Sequence, residues 1–465
     1  MQKKTLFLIP DGVGVRNYLY SDLIKFLKER SKLIFWSTLP KVAFLEVFEA
    51  HSCRAEVVQI KLEKESFFTR IFKESATYAR LISNAKKVNN RTILSNWNNN
   101  PKGAKRKILN VISKIIGKWG SYKYSRILYL EEQSKKKWKR SLIEKYKLEL
   151  TKSKPQVIFI THQRVSGLMP ICIAAKELNI KIVCAIYSWD NLPKARLAII
   201  ADQYVVWSDL MKEDMRLFYP EISQEKVLVT GTPQFEFYLQ KERIVSREVF
   251  AKKYNLDSNK RWICFSGDDV KTSPYDADFL RDVAEANEFI PKADRAQIIF
   301  RRCPVDFSDR YNDVIETYNF IISIDPIWHV PGPNENWGAY FPKMDDIALQ
   351  ANLATHCDFV VNMGSTMAHD FSVFNKPCFY LNYNPVEDEK WTVKDIYNYQ
   401  HFRSMKTLDA VGWFNSNEEI KNKMQKALKK TNSIGIDKKE WFKKINLHPI
   451  DMNSKYISDV LLNSN

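Results

Sequence analysis

The sequence lacks the long apolar run that a membrane-spanning helix requires. Its 465 residues contain no uninterrupted apolar stretch approaching the roughly 18 residues of such a helix. The opening MQKK is followed only by LFLIP before Asp11, which is shorter than the apolar region of a secretory signal peptide. We therefore expect a cytoplasmic protein.

The sequence also has few cysteines, and none of them form a CxxC pair. The seven cysteines are scattered, and most stand in apolar, strand-like segments. Disulfide frameworks and zinc sites instead use cysteines at close, regular spacings. We therefore expect reduced thiols inside hydrophobic cores. A hydrophobic content of 45% and an aromatic content of 13% are ample for folded domains.

Acidic residues are scarce in one segment. Residues 101–154 contain 17 Lys and Arg against 4 Glu, which accounts for most of the net charge of +18. Apolar residues are interleaved with these cations, and a helix would bring several of them to one face with lysines beside it. The predicted face comprises Ile108, Leu109, Ile112, Ile115 and Ile116, flanked by Lys105, Lys107, Lys114 and Lys118.

A basic amphipathic helix of this kind can lie on an anionic membrane surface, with Trp119 and Tyr122 at the depth of the headgroups. Residues 102–140 therefore predict peripheral association with the inner face of the cell membrane. Nucleic-acid binding is a less favoured interpretation of the same charge. The structural alternative is a solvated helical pair that covers the first domain.

Apolar strands alternate with helices along the rest of the chain. Runs such as TLFLIP, PQVIFITH and RWICFSGDD are typical of parallel sheets that are covered on both faces. The series restarts after about residue 240, so the predicted fold class is α/β, with two Rossmann-like doubly wound parallel-sheet domains facing a cleft. A helix near residues 193–201 and a last strand CFYLNY are among the predicted elements.

The predicted domains follow from this restart. Residues 1–240 would form the first domain, which carries the basic helical insertion at about residues 100–154. Residues 241–415 would form the second domain. Residues 416–465 are expected to be helices that pack back on the first domain.

One loop of the second domain has the composition of an anion site. The strand DFVVNM is followed by Gly364, Ser365 and Thr366 and then by a helix that carries Asp370. Glycine lets the backbone approach an anion, while the helix N–H groups and two hydroxyls can donate to it. We expect a phosphate at this turn and a ribose at Asp370. The alternative is that Ser365 only caps the helix and Asp370 is an exposed helix residue.

Several segments resemble known families. VTGTPQFEF resembles the TGNP segment of UDP-N-acetylglucosamine 2-epimerases, and LATHCDFVVNMGSTMAHDFSVFNKPCFYL resembles the donor-binding strand–turn–helix of that family and of GT-B glycosyltransferases. IIFRRCPVDFSDRY lies where the epimerases and CDP-glycerol polymer transferases carry a basic residue followed by His-Pro, and Cys303 stands here in the place of that histidine. The order of elements matches over most of residues 1–400, although the matching segments are short.

The resemblance implies a glycosyltransferase of GT-B architecture that uses a nucleotide-sugar donor and a lipid-linked or surface-polysaccharide acceptor. Arginines that follow a strand suit phosphates, and the long aromatic loop 325–342 suits a nucleobase or sugar. Besides Gly364, Ser365, Thr366 and Asp370, the candidates for donor binding are Arg301, Arg302, Gly267, Lys271, Thr272, Ser273, Trp328 and His329.

Three residues at predicted strand ends compete for the role of general base, which an inverting transfer needs to take the proton of the acceptor hydroxyl. Asp11 stands beside Gly12 and Gly14, His162 follows PQVIFIT, and Asp190 follows KIVCAIYSW. Each residue also has a structural alternative, as a turn former, a satisfied polar residue or a helix N-cap. Asp190 is slightly favoured, and the choice stays open.

The acidic residues do not form a metal-ligand motif near a strand end. The adjacent pairs Asp268–Asp269 and Asp345–Asp346 point in different directions on a strand or a helix. We therefore expect a metal-independent transfer with no cofactor beyond the donor.

Three alternatives to the glycosyltransferase remain. A UDP-sugar 2-epimerase is disfavoured, because THQRV and SWDNL stand where that family carries HGDT and EAGLR. A glycerophosphate-type polymer transferase shares the second-domain segment. A non-catalytic membrane- or nucleic-acid-binding protein on an inert scaffold would depend on the basic segment alone.

Overall fold

Two parallel β-sheets organise the chain, which confirms the predicted fold class. The computed structural model describes residues 3–330 and 340–463. The first sheet consists of β1 (Lys3–Ile9), β2 (Ser31–Ser37), β3 (Glu56–Gln59), β4 (Val157–Ile160), β5 (Lys181–Ala185), β6 (Gln203–Val206) and β7 (Val227–Val229). The second consists of β8 (Trp262–Ser266), β9 (Gln297–Arg301), β10 (Ile321–Ser323), β13 (Phe359–Asn362), β14 (Cys378–Leu381) and β15 (Gly412–Phe414), while β11 (Trp328–His329) and β12 (Phe341–Pro342) form a separate antiparallel pair.

Each sheet reverses its direction of growth at one point. The first has the order β3-β2-β1-β4-β5-β6-β7, and the second has the order β10-β9-β8-β13-β14-β15. The chain therefore builds outward from β1 and from β8 and then returns to add β4 and β13 on their other sides. Loops part on either side of such a reversal, which leaves a crevice where ligands of open α/β sheets bind. The loops to examine are those after β1, β4, β8 and β13.

The helices cover both faces of these sheets. Those of the first half are α1 (Gly12–Gly14), α2 (Leu23–Lys28), α3 (Leu45–Ala50), α4 (Phe67–Lys87), α5 (Ala104–Gly120), α6 (Tyr124–Lys136), α7 (Arg140–Ser153), α8 (Met169–Glu177) and α9 (Asp209–Phe218). Those of the second half are α10 (Arg247–Tyr254), α11 (Asp276–Glu288), α12 (Asn312–Thr317), α13 (Met344–His356), α14 (Met367–Val373), α15 (Val393–Tyr397), α16 (Asn417–Lys429), α17 (Lys438–Ile445) and α18 (Asn453–Leu462).

Burial on both faces explains why the strands read as continuous apolar runs. Phe7 of β1 meets Phe35 of β2 and Phe159 of β4 edge to face, with ring centroids 5.4 Å apart in each pair. Leu6 and Leu8 point to the opposite face and are equally buried. Side chains alternate along a strand, so no position of β1 after Lys4 can be polar without a buried partner. Thr5 meets this condition through the hydroxyl of Ser31, at 2.7 Å.

The basic segment forms three helices: α5 and α6 pack beside α4, and α7 packs on α8. Helix α5 approaches α4 closely at Gly117. A Cβ atom at this position would lie only 2.7 Å from the Ser75 carbonyl oxygen, so only glycine fits there without a shift. The buried Arg80 of α4 makes ion pairs with Glu131 of α6 and with Glu221. These three helices, called the basic helical layer below, are thus joined to the rest of the first domain by packing and by ion pairs. No helix among the described residues is both long and apolar enough to cross a membrane.

The helix predicted near residues 193–201 is wrong. Only a single 3₁₀ turn, Leu192–Lys194, forms there, and Ala195 ends it with a left-handed φ of +56°. The Ala198 N–H donates to the Gln163 carbonyl at 3.0 Å instead of to a helical neighbour. This long-range hydrogen bond ties the segment to the loop after β4.

The C-terminal part of the chain contacts both domains. Strand β15 pairs with β14 and extends the second sheet beyond the predicted last strand CFYLNY. It was not predicted, because a strand of three residues is too short to show a pattern of apolar residues. Helix α18 lies against the first domain, where Lys3 donates to the Leu462 carbonyl at 2.6 Å. Glu236, after β7, accepts from the N–H and the hydroxyl of Ser454, each at 2.6 Å.

The Glu236–Ser454 contact generates a stability prediction. Burial raises the pKa of Glu236 to about 8, whereas an unfolded glutamate ionises near about pH 4.3. The folded protein then binds the proton more tightly, so the contribution of Glu236 to stability falls as pH rises between these values. We expect the melting temperature of the wild type, relative to Glu236→Gln, to fall from pH 5 to pH 8 in scanning fluorimetry.

Glu236→Gln is the matched control in this experiment, because it keeps the shape of the side chain and cannot ionise. Glu236→Ala removes the acceptors of Ser454 and should destabilise the fold by about 1–3 kcal/mol. A constant difference between wild type and Glu236→Gln across the pH range would contradict the raised pKa.

Candidate active site

The reversal point of the first sheet brings together two of the three candidate bases. Asp11 follows β1 and His162 follows β4, the strand that pairs with β1. The Nδ1 atom of His162 donates a hydrogen bond to Asp11 Oδ2. The other carboxylate oxygen, Oδ1, accepts from the N–H groups of Val13 and Gly14 at 3.1 and 3.3 Å. A single carboxylate therefore orients the imidazole and caps the glycine-containing turn.

The hydrogen bond to Asp11 leaves the second ring nitrogen of His162 as the candidate proton acceptor. Its Nε2 atom is buried and has no hydrogen-bond partner within residues 3–330 and 340–463. The Tyr187 ring packs edge to face on the imidazole, with centroids 4.1 Å apart. An Nδ1–H held by a carboxylate leaves the Nε2 lone pair as the proton acceptor, as in other His–Asp pairs.

Asp190, the slightly favoured base, is instead occupied by neighbouring side chains. It accepts from the Ser188 hydroxyl at 2.7 Å and pairs with Lys194. Burial would raise the pKa of Asp190, but Lys194 and His401 outweigh that effect and lower it well below its usual range. A carboxylate with so low a pKa is a poor proton acceptor. The structure therefore does not bring Asp190 into the Asp11–His162 pair.

The reversal point of the second sheet carries the Gly364–Ser365–Thr366 turn. Gly364 has a φ of +70°, and a Cβ atom there would lie 2.8 Å from the Phe402 ring. The Ser365 N–H donates to Asn362 Oδ1 at 2.9 Å, and the Ser365 hydroxyl accepts from the Met367 N–H at 3.4 Å. The N–H groups of Gly364 and Thr366 have no hydrogen-bond partner in the described part of the chain. These two N–H groups remain available to an anion.

Asp268, which follows β8, faces the same turn from the neighbouring strand. Burial, together with Asp276 and Asp269, raises the pKa of Asp268 well above its usual range, although the Met363 N–H favours its ionised form. A neutral Asp268 would not repel an anion held at the adjacent turn. The sequence alone marks Asp268 only as half of an acidic pair, because its position beside Met363 depends on the pairing of β8 with β13.

Asp370 is buried where the two domains meet. Burial raises the pKa of Asp370 to about 6, while Arg16, Tyr238 and Arg301 favour its ionised form. Arg16 belongs to the π-helical turn Val15–Leu19 that follows α1, so the first domain supplies part of this environment. The role of Asp370 towards a ribose stays a prediction.

The two adjacent arginines at the end of β9 diverge, as adjacent side chains on a strand must. Arg301 is buried and contacts both carboxylate oxygens of Asp346, at 2.9 and 3.0 Å, and its Nη1 atom has no partner among the described residues. Arg302 donates to the Ser308 carbonyl oxygen, at 2.5 Å, and lies over the Tyr311 ring. Only Arg301 therefore turns towards Asp370.

The other predicted donor residues are distinguished by their local contacts. Lys271 is exposed, and the Ser273 hydroxyl is buried against Asp276 at 2.9 Å. Gly267 sits under Tyr311, and His329 stacks on Phe341 at 4.7 Å. Residues 331–339 of the predicted aromatic loop lie outside the described residues. No group of His, Cys, Asp and Glu within residues 3–330 and 340–463 has the arrangement of a metal site.

Contacts across the cleft bring the loop after β1 against the second domain. Arg16 donates to Gln350 of α13 at 2.6 Å, and the Tyr20 hydroxyl donates to the Pro342 carbonyl at 3.2 Å. A Cβ atom at Gly12 would lie 2.4 Å from the Tyr340 carbonyl oxygen. Arg16 was not among the residues predicted for the site, because its partner Gln350 lies 334 residues away along the chain.

Comparisons with known proteins support the fold and leave the reaction open. No family model and no curated protein matches the chain. The structure is similar to the UDP-GlcNAc 2-epimerase from Neisseria meningitidis bound to UDP-GlcNAc, with a TM-score of 0.53, 11% identity, and 99% of this chain and 100% of that chain covered. The S. aureus MnaA–UDP structure has a TM-score of 0.53 and 10% identity, and covers 100% of this chain and 98% of that chain.

A glycosyltransferase from Rickettsia africae has a TM-score of 0.52 and 10% identity, with both chains covered over their full length. At these identities the likeness shows the fold, which is the two-domain GT-B fold predicted from the sequence. The likeness does not choose between an epimerase and a glycosyltransferase.

The close approach at Gly12 predicts that a side chain there will hold the domains apart. Gly12→Val places atoms where the Tyr340–Phe341 backbone now lies, and that backbone cannot rotate away as a flexible side chain can. We expect a larger radius of gyration in small-angle X-ray scattering. Val13→Ala, one residue along the same turn, is the control and should scatter like the wild type. An unchanged radius for Gly12→Val would contradict the closed arrangement.

Proposed function

We propose that this protein is a GT-B glycosyltransferase that moves a sugar from a nucleotide-sugar donor to an acceptor hydroxyl. One observation carries the proposal: the reversal point of each sheet bears one half of the required chemistry. The first sheet supplies an oriented His–Asp pair, and the second supplies a turn with two available N–H groups. Group transfer from an activated sugar needs both a base and an anion-stabilising site.

A nucleotide-sugar donor is supported by the similar structures and by the turn. The Neisseria protein was solved with UDP-GlcNAc and the S. aureus protein with UDP. In the proposed complex the diphosphate contacts the N–H groups of Gly364 and Thr366, and the raised pKa of Asp268 reduces the repulsion between its carboxyl group and the diphosphate. Arg301 is the cation that we expect to contact a phosphate, because its Nη1 atom has no partner among the described residues.

The proposed reaction is a single displacement. His162 Nε2 takes the proton of the acceptor hydroxyl while the acceptor oxygen forms a bond to the anomeric carbon. The bond from that carbon to the diphosphate oxygen breaks, and the nucleotide leaves with the electron pair. Asp11 stabilises the imidazolium that forms, and the N–H groups of the turn stabilise the leaving phosphate. Attack opposite the leaving group inverts the anomeric carbon, and the proposed transfer is independent of a metal ion and of further cofactors.

The acceptor class is part of the same proposal. We propose that the protein meets a lipid-linked or surface-polysaccharide acceptor at the cytoplasmic face of the membrane. The basis is the basic helical layer α5–α7, which the first domain carries beside its sheet. The enzyme would then work at a membrane, where lipid-linked acceptors reside.

An epimerase acting on a UDP-sugar is the second candidate, favoured by its frequency among the similar structures. A glycerophosphate-type polymer transferase would use the same base and a different activated donor. Analysis of the reaction products distinguishes the glycosyltransferase, the epimerase and the polymer transferase, since only the epimerase converts its donor without any acceptor.

The donor proposal predicts selective stabilisation by one class of nucleotide-sugar. A ligand at about 100 times its dissociation constant stabilises the folded protein by about 2.7 kcal/mol, which raises the melting temperature by a few degrees. We expect this shift from at least one of the UDP-, GDP-, CMP-, CDP- and dTDP-sugars. Ser365→Ala combined with Thr366→Val removes the two hydroxyls predicted to donate to the diphosphate beside the N–H groups of the turn and should reduce the shift. Ser433→Ala, at an exposed serine of the second half, should not reduce it.

Asp370→Asn extends the same experiment to the ribose role. This variant keeps the buried volume and removes the charge near Arg16 and Arg301. A smaller shift supports contact with the nucleotide, and an unchanged shift removes the ribose role. If no nucleotide-sugar stabilises the wild type, the donor proposal is wrong.

The His162 assignment predicts a separation of binding from turnover. His162→Gln should lower the transfer rate by about 100- to 10,000-fold, the usual contribution of a general base, and should leave the donor-induced melting shift intact. Asp11→Asn should also lower the rate, since it loses the charge that orients and stabilises the imidazole. Release of labelled nucleotide in the presence of acceptor measures both effects.

Asp190→Asn distinguishes the two placements of the base. If His162 is the base, Asp190→Asn retains far more activity than His162→Gln. The reverse order, with His162→Gln near wild type, would contradict the mechanism.

A further inference from the structure

Helix α5 has two apolar faces, and only one of them is covered. Leu109, Ser113 and Gly117 are buried against the neighbouring helices. On the opposite side a second row, Ile108, Val111, Ile115 and Trp119, has between 45% and 67% of its surface exposed. Tyr122, just beyond the helix, continues the row and is 68% exposed.

The structure corrects the apolar face predicted from the sequence. Leu109 belongs to the buried side, Ile112 and Ile116 are only partly exposed, and the exposed row gains Val111, at intervals of three and four residues. Residues at these intervals lie one above the other on the same side of a helix. An exposed apolar row of this length marks a surface that interacts with another protein or with a membrane.

The charge around this row has one sign. Every charged residue from Ser75 to Leu130 is a lysine or an arginine. Helix α5 itself carries Lys105, Arg106, Lys107, Lys114 and Lys118 and no acidic residue. The row is therefore bordered by cations without a carboxylate on the same helix to neutralise them, and it is complementary to an anionic surface.

A polar groove adjoins the row at the start of α5. It has a volume of about 680 Å³ and is lined by Asn99, Asn100, Pro101, Lys102, Gly103, Lys107, Asn110, Val111 and Lys114. Lys114 is held in place by a hydrogen bond to Asn99 Oδ1 at 2.8 Å. Three lysines and several amides provide donors for a phosphate group. Val111 belongs both to this groove and to the apolar row.

We propose that the exposed face of α5 docks on a bilayer that contains anionic phospholipid. The row Ile108, Val111, Ile115 and Trp119 enters the boundary between headgroups and acyl chains, and the groove takes a headgroup phosphate. Only a bilayer presents a plane of phosphates directly above hydrocarbon. A nucleic acid offers phosphates but no apolar surface for the row, so it is the less complementary partner. This inference does not depend on the proposed transfer reaction.

Vesicle flotation tests the docking face directly. The full-length protein is mixed with phosphatidylcholine vesicles that contain or lack phosphatidylglycerol, at low and at high salt. We expect binding to the anionic vesicles only, and weaker binding near 1 M salt, where the screening length falls to about 3 Å. The paired substitutions Val111→Glu with Ile115→Glu, and Lys107→Glu with Lys114→Glu, should each weaken binding by about tenfold or more.

Matched variants separate docking from general effects of charge and exposure. Leu148→Glu alters an equally exposed apolar residue on α7, and Lys429→Glu with Lys430→Glu alters two exposed lysines of the second domain. Both controls should bind vesicles like the wild type, and all variants should keep the wild-type melting temperature.

Three results would overturn the proposal. They are no binding of the wild type to anionic vesicles, equal binding by the α5 variants and the wild type, and tighter binding to duplex DNA or RNA that is lost with Lys107→Glu and Lys114→Glu but kept with Val111→Glu and Ile115→Glu. Vesicle binding by an inactive His162→Gln protein shows that docking and transfer fail separately.

Discussion

The candidate site depends on the hydrogen bonds that the Asp11 carboxylate accepts. One of its oxygens caps the turn of Val13 and Gly14, and the other holds the imidazole of His162. The two contacts join the loops after β1 and β4, which part on either side of the reversal point of the first sheet. A crevice that would otherwise be lined by two independent loops is therefore held in one geometry. The Nε2 atom of His162 owes its direction to this pair of contacts.

The second domain carries the candidate anion site. Its own reversal point carries the Gly364 turn, and a glycine is required there by both the positive φ and the nearby Phe402 ring. Asp268 is compatible with an anion at this turn because burial and neighbouring acids raise its pKa. Buried ionic groups such as Arg301 and Asp346 are costly unless paired, and their pairing fixes how β9 faces α13. The Arg16–Gln350 contact then joins the two halves.

The sheets could be predicted from the sequence because they depend on local patterns. Continuous apolar runs identified most strands, and polar residues at their ends suggested Asp11, His162 and Gly364 as candidate site residues. Contacts between distant residues could not be predicted. Whether Asp11 meets His162 or Asp190 depends on which strand lies beside β1, and nothing local reports that order. The left-handed Ala195, the three-residue β15 and the division of α5 into two apolar faces are likewise consequences of tertiary packing.

The central claim is that the two reversal points face one donor molecule, one holding its diphosphate and the other its reacting sugar. A crystal structure with the nucleotide-sugar that stabilises the protein most would test this claim most directly. The account predicts phosphate oxygens within hydrogen-bond distance of the Gly364 and Thr366 N–H groups, with the anomeric carbon on the side of His162 Nε2. A nucleotide bound away from the Gly364 turn, or a sugar directed away from the Asp11–His162 pair, would contradict it.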